Sequence, residues 1–75
     1  MPTLSQAISA EIRATMARKR ITGLQLAGLI GMSQNYLAKR LRDEAPFTIP
    51  DLAKIADVLD EDFEQIIRNA IAHMK

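Results

Sequence analysis

Between positions 34 and 42 the chain places two carboxamides, Gln34 and Asn35, a phenol, Tyr36, and three cations, Lys39, Arg40 and Arg42. A carboxamide donates and accepts side by side, which matches the edge of a nucleobase, while guanidinium and ammonium groups suit phosphate oxygens. This is hydrogen-bonding chemistry without a nucleophile, and it works only if the side chains are held on one rigid face. Leu37 and Leu41, four apart in the same stretch, supply a narrow apolar seam on which a helix can sit.

The helix and turn able to hold this set in place lie immediately upstream. Thr22 can cap a preceding helix, with Gln25 three residues later as the other half of a capping box, and Leu26, Ala27 and Ile30 then share one side. Gly31 follows where the chain must stop and turn, a position that favours positive φ. Met32 can plug the corner, and Ser33 is a second N-cap that starts the helix carrying Gln34 to Arg42. Ile21 to Arg42 therefore reads as two capped helices joined at a glycine, a helix-turn-helix.

Three further helices are expected. The first runs from about Leu4 to Lys19, with Leu4, Ile8, Ile12 and Met16 as an apolar ridge, Arg13 and Arg18 off it, and the basic cluster Arg18-Lys19-Arg20 at its end. After the Pro46 break, Phe47 is an anchor into the core. Thr48, with Pro50 in the first turn and Asp51 three residues on, opens a fourth helix at about 49–59, whose Leu52, Ile55, Ala56 and Leu59 face inward. Asp62 with Gln65 caps a fifth at about 63–74, carrying Phe63, Ile66, Ile67, Ala70, Ile71 and Met74 on one wide apolar face. That face either docks on the first helix or shares in dimerisation, through Ile71 and Met74.

A chain of 75 residues is read as one domain, residues 1–75, at the small end of what folds alone. Without cysteine there is no disulfide framework or thiolate metal site. The longest greasy stretch, Leu24 to Met32, is far short of the roughly 20 residues a membrane span needs. No secretory leader is visible, and the expected location is the cytoplasm of a bacterial or phage-infected cell.

The net charge of +1 conceals a polarity along the chain. Residues 1–42 carry Arg13, Arg18, Lys19, Arg20, Lys39, Arg40 and Arg42 against Glu11 alone, a net +6, whereas residues 43–75 come to −5. One end attracts polyanions and the other repels them, which implies an orientation on nucleic acid.

Nothing points to catalysis. Asp60, Glu61 and Asp62 have no nucleophile or basic partner at a useful spacing and read as a helix junction and solvated loop. His73, the only histidine, reads as a solvated side chain without the companions a metal site requires. No cofactor is called for.

With these residues in place, the chain resembles the helix-turn-helix family of phage repressor and Cro proteins, the xenobiotic-response-element type, over roughly residues 11–63. The resemblance rests on Thr22, Leu26-Ala27, Gly31, Met32, Ser33 and Leu37, and on Leu52, Ile55, Ala56 and Leu59 in the fourth helix. Three positions depart from the pattern. Gly23 stands where many members have a phosphate-touching Gln, so only the backbone N–H groups there face a phosphate. Leu41 stands where a glutamate is common. Gly28 interrupts the second helix, costing about 1 kcal/mol against alanine, for which close approach of another helix or of a DNA backbone are the two explanations.

The resemblance implies an all-α, five-helix, lambda-repressor-like fold that binds double-stranded DNA with its third helix in the major groove. Gln34 and Asn35 would then sit nearest the bases, each able to grip adenine, and Lys39 would donate to guanine. Tyr36 has three readings: its ring on a thymine methyl, its hydroxyl on a phosphate, or a cover over the core edge. Arg40, Arg42, Arg18, Lys19 and Arg20 would hold phosphates, with Thr22 and Gly23 at the helix start. The expected function is transcriptional regulation as a phage or prophage repressor or Cro-like protein, by operator occupancy, with a homodimer formed on DNA as one arrangement. The rival is a protein-interaction module such as an antitoxin, with DNA binding secondary.

Overall fold

The computed structural model describes residues 2–74, which form five helices and no strand. These are α1 (Leu4–Lys19), α2 (Gly23–Ile30), α3 (Gln34–Leu41), α4 (Ile49–Val58) and α5 (Phe63–Ala72). Every helix starts at a short polar side chain that accepts from an otherwise free N–H. Thr3, Thr22 and Thr48 close complete capping boxes with Gln6, Gln25 and Asp51. Ser33 accepts from the Tyr36 N–H at 3.0 Å.

At α5 the expected box does not form. Asp62 accepts from Glu64 N at 2.8 Å, one residue early, and Gln65 instead donates along the helix to Asn69 at 2.8 Å. Turned along the helix toward Asn69, the Gln65 side chain does not reach back to the Asp62 N–H.

The core gathers Ile12 and Met16 from α1, Leu26 and Ala27 from α2, Leu37 from α3, and Leu52, Ile55 and Leu59 from the α4 segment. Complete burial of one such aliphatic side chain stabilises by about 1.5–3 kcal/mol. Met32 and Phe47 pack against this cluster from the corner and the loop. Packing of α2 on α3 and α4, and of α1 on α3, seats the third helix on its leucine seam.

α5 docks on α1, the first of the two roles expected for its apolar face. Ile66 and Ala70 are buried there, and Phe63 and Ile67 turn toward the core. The contact also uses a second face of α1 that the Leu4 to Met16 ridge does not show. Ala7, Glu11 and Thr15, four apart, are all buried, while Leu4 at the ridge's start remains 45% exposed.

Glu11 is the centre of that second face. Its carboxylate accepts from Asn69 Nδ2 at 3.1 Å, meets His73 Nε2 at 3.0 Å, and lies 3.5 Å from Arg18 Nη2. Burial by itself would raise the carboxyl, but the hydrogen bonds from His73 and Asn69 and the charges of Arg18 and His73 prevail and hold it below its ordinary value. This corrects the reading of His73 as a solvated side chain. Its ring is half exposed, yet one nitrogen is committed to Glu11 across 62 positions of sequence.

No described helix is long and apolar enough to cross a membrane.

Candidate nucleic-acid interface

The third helix is fastened at both ends. Its buried anchor is Leu37, 1% exposed. Near the N-terminus, the Tyr36 hydroxyl donates to Asp51 Oδ2 at 2.7 Å and so ties α3 to the first turn of α4. At the C-terminus, Arg13 of α1 donates from Nη1 to the Leu41 carbonyl at 2.5 Å and pairs with Asp43 at 3.8 Å. The Ser9 hydroxyl also donates to Asp43, which sits in the left-handed region at φ 65°. A helix of eight residues is marginal by itself, so these two fastenings and the leucine seam hold the display face in place.

On that face Gln34, Asn35 and Lys39 are exposed. Gln34, Asn35, Ala38 and Arg42 line one shallow groove along the helix. Ala38 was not singled out by the sequence reading, because it has no polar group, although its spacing of four from both Gln34 and Arg42 places it between them. A methyl group there suits the methyl of thymine.

Tyr36 lies differently from its three neighbours in polarity. Its hydroxyl proton is engaged by Asp51 rather than free for a phosphate, and one ring face is covered by Arg40, whose Cζ stands 3.5 Å from the ring centroid. The acceptor Asp51 raises the phenol above its ordinary value, with burial adding to the shift. Asp51 itself is 8% exposed. Its burial would raise the carboxyl, but hydrogen bonds from Tyr36 and Thr48 and the charge of Arg40 leave it lowered.

The expected phosphate-holding cations are disposed in four ways. Arg40 folds back on α3, with Nη1 donating to the Tyr36 carbonyl at 3.2 Å and Nε buried without a partner among the described residues. Arg42 pairs with Glu44, Nε to Oε2 at 2.5 Å, an ion pair that holds the Glu44 carboxyl below its ordinary value. Arg18 donates to Thr15 Oγ1 at 2.9 Å beside Glu11, whereas Lys19 and Arg20 are exposed at the end of α1. Arg20 shares a groove with Leu24, Gln25, Gly28 and Leu29, apart from the one along α3.

At the start of α2 the Thr22 hydroxyl is taken up by the capping box. A Cβ placed on Gly23 would meet only Leu41 Cδ1, at an ordinary 3.8 Å. A Cβ on Gly28 would have nothing within 4 Å, so no helix of this chain approaches it. Of the two explanations for that glycine, close packing by another helix of this chain is not seen among the described residues. Ile71 is 43% exposed and Met74 half-buried at the far end of α5.

The fold and this face together define a helix-turn-helix protein. The sequence matches the helix-turn-helix family model over residues 12–66, and the chain belongs to that family. Among solved structures it is similar to the clp gene regulator ClgR from C. glutamicum, with a TM-score of 0.92 at 25% identity over 100% of this chain and 97% of that one. A second crystal structure of the clp gene regulator ClgR, from Corynebacterium glutamicum, gives 0.90 at 26% identity over 97% of this chain and 78% of that one. No curated protein matches the sequence. In class, this is a DNA-binding transcriptional regulator.

Proposed function

We propose that the chain binds a short duplex operator in the cytoplasm and represses transcription by occupying it, in the manner of a phage or prophage repressor or Cro-like protein. Gln34, Asn35 and Lys39 read base edges, Ala38 lies between them, and Arg40, Arg42, Lys19, Arg20 and the α2 start at Thr22 and Gly23 face phosphates. Arg18 contributes from beside Glu11. Tyr36, its hydroxyl engaged by Asp51 and one ring face covered by Arg40, keeps only its remaining ring surface for a thymine methyl. The observation that carries the reading is the outer face of α3, where three hydrogen-bonding side chains, unpaired among the described residues, stand exposed above a fully buried Leu37. Family membership and the likeness to a clp gene regulator support gene regulation over an antitoxin role.

The test is selection of bound sites from random duplex DNA, followed by binding titrations at several salt concentrations. A single recovered sequence motif is expected, with affinity falling linearly in log–log form by about 0.9 per phosphate contact. Alanine at Gln34 and Asn35 together should flatten preference at one or two base pairs. Recovery of no motif, or affinity indifferent to salt, would overturn the reading in favour of a protein-interaction module.

A further inference from the structure

We propose that Asp51 is a positioning residue for DNA binding: from the first turn of α4 it fixes Tyr36, and Tyr36 holds the Arg40 guanidinium ready on α3. This rests on the DNA-binding reading above and adds a residue that never touches DNA itself.

The three capping boxes of this chain are not equivalent. α1 and α2 use glutamine at the third position, Gln6 and Gln25, and those side chains serve only their own helix start. α4 uses Asp51, and its Oδ2 does two things at once, accepting from Thr48 N at 3.1 Å and from the Tyr36 hydroxyl at 2.7 Å. A carboxylate has lone pairs for both donors, whereas a glutamine oxygen occupied by the cap would offer the phenol a weaker, neutral acceptor. The exception among the boxes is thus the one with a second partner.

Tyr36 passes this constraint on. With its hydroxyl fixed, the ring becomes a platform for Arg40, whose guanidinium carbon lies 3.5 Å from the centroid and whose Nη1 is also held by the Tyr36 carbonyl at 3.2 Å. Nε is buried without a partner among the described residues. An arginine on a free surface loses rotamer freedom when it grips a phosphate, and one already stacked and hydrogen-bonded loses less. Five N–H donors are available to the group, and the contacts to Tyr36 occupy one side of it, so others remain for an incoming backbone oxygen. The phenol is therefore a bracket, and the residue that sets the bracket is Asp51.

Tyr36 is the only tyrosine in a chain without tryptophan, so its absorbance and emission report this bracket alone. The experiment compares wild type, Asp51→Asn, Tyr36→Phe, Arg40→Ala and the double variant Asp51→Asn/Arg40→Ala, with circular dichroism to establish that each is folded. Binding is measured to a short fluorescent duplex of mixed sequence at fixed salt. Phenolate absorbance is titrated in parallel for the proteins that retain Tyr36. Asp51→Asn and Tyr36→Phe should each weaken binding by about three- to tenfold, and Asp51→Asn should have little further effect once Arg40 is alanine. The phenol titration should move down in Asp51→Asn while remaining displaced in Arg40→Ala. Tyr36→Phe removes one hydroxyl and keeps the ring, so it decides the matter even if Asp51→Asn fails to fold. If wild type binds the duplex and both single variants bind equally well, the positioning role is overturned. A loss from Asp51→Asn that persists undiminished without Arg40 overturns it too. Absence of duplex binding by wild type would instead remove the DNA reading on which it depends.

Discussion

The Arg13 guanidinium donates to the carbonyl of Leu41, the last residue of α3, at 2.5 Å, and so closes the C-terminal end of the display helix from α1. Helix ends leave carbonyls without partners, and a charged donor on one of them also opposes the negative end of the helix dipole. Arg13→Met keeps much of the stem and removes the donor. It should cost about 0.5–1.5 kcal/mol of stability, as a hydrogen bond of this kind is worth. Amide hydrogen exchange at Arg42, Asp43 and Glu44 should accelerate more than at α4. Equal protection at both places would mean that Arg13 is not what fastens this end.

The Glu11 network carries a pH dependence whose sign follows from its lowered folded value. Stability from that carboxylate is complete above its ordinary value of 4.5 and is lost as pH falls through the lower folded value. Glu11→Gln should therefore cost about 1–3 kcal/mol at neutral pH and lose less stability than wild type on acidification. Urea midpoints measured between neutral and acid pH test this. Parallel curves for the two proteins would contradict it.

Two glycines should respond to alanine with opposite signs. Gly31 adopts φ 69° at the end of α2, where a side chain costs about 1–2 kcal/mol. Gly28 lies within the helix with open space around it, so alanine should stabilise by about 1 kcal/mol. Thermal unfolding of both variants is the measurement. If Gly28→Ala is stabilised yet binds duplex less well, the remaining explanation, close approach of the DNA backbone, gains direct support.

Arg42 is ion-paired before any ligand arrives, because Glu44 holds it at 2.5 Å. Glu44→Gln should strengthen duplex binding and steepen its salt dependence by up to about 0.9 in log–log slope, the contribution of one additional phosphate contact. An unchanged slope with unchanged affinity would place Arg42 away from the phosphates, in keeping with its position in the groove beside Gln34 and Ala38.

The exposed end of α5 is the place to test self-association on DNA. Ile71 is 43% exposed, so Ile71→Asp should leave the fold intact by circular dichroism. On a pseudo-palindromic site, whose half-sites would lie about 34 Å apart, it should abolish cooperative binding of two copies. Full-strength cooperative binding by the folded variant would put a dimer contact elsewhere.

The helices, their starts and the exposed face of α3 were legible in the residues alone, because those signals are local. A capping oxygen and its N–H are three residues apart, the Leu37 and Leu41 seam spans one turn, and a glycine marks its own turn. The exposed Gln34, Asn35 and Lys39 follow once the seam is known to be buried. The partners of the remaining polar side chains emerge with the packing of the helices. Glu11 meets His73 across 62 positions, Ser9 meets Asp43 across 34, and Tyr36 meets Asp51 across 15. None of these pairs has a spacing that sequence periodicity can register. A histidine that looks solvated, a phenol with three open readings and a cap that looks like any other acquire their roles when packing of α1 on α5 and of the α2–α3 unit on α4 brings donor and acceptor within reach. Hydrogen bonds act over about 3 Å and take no account of the chain between.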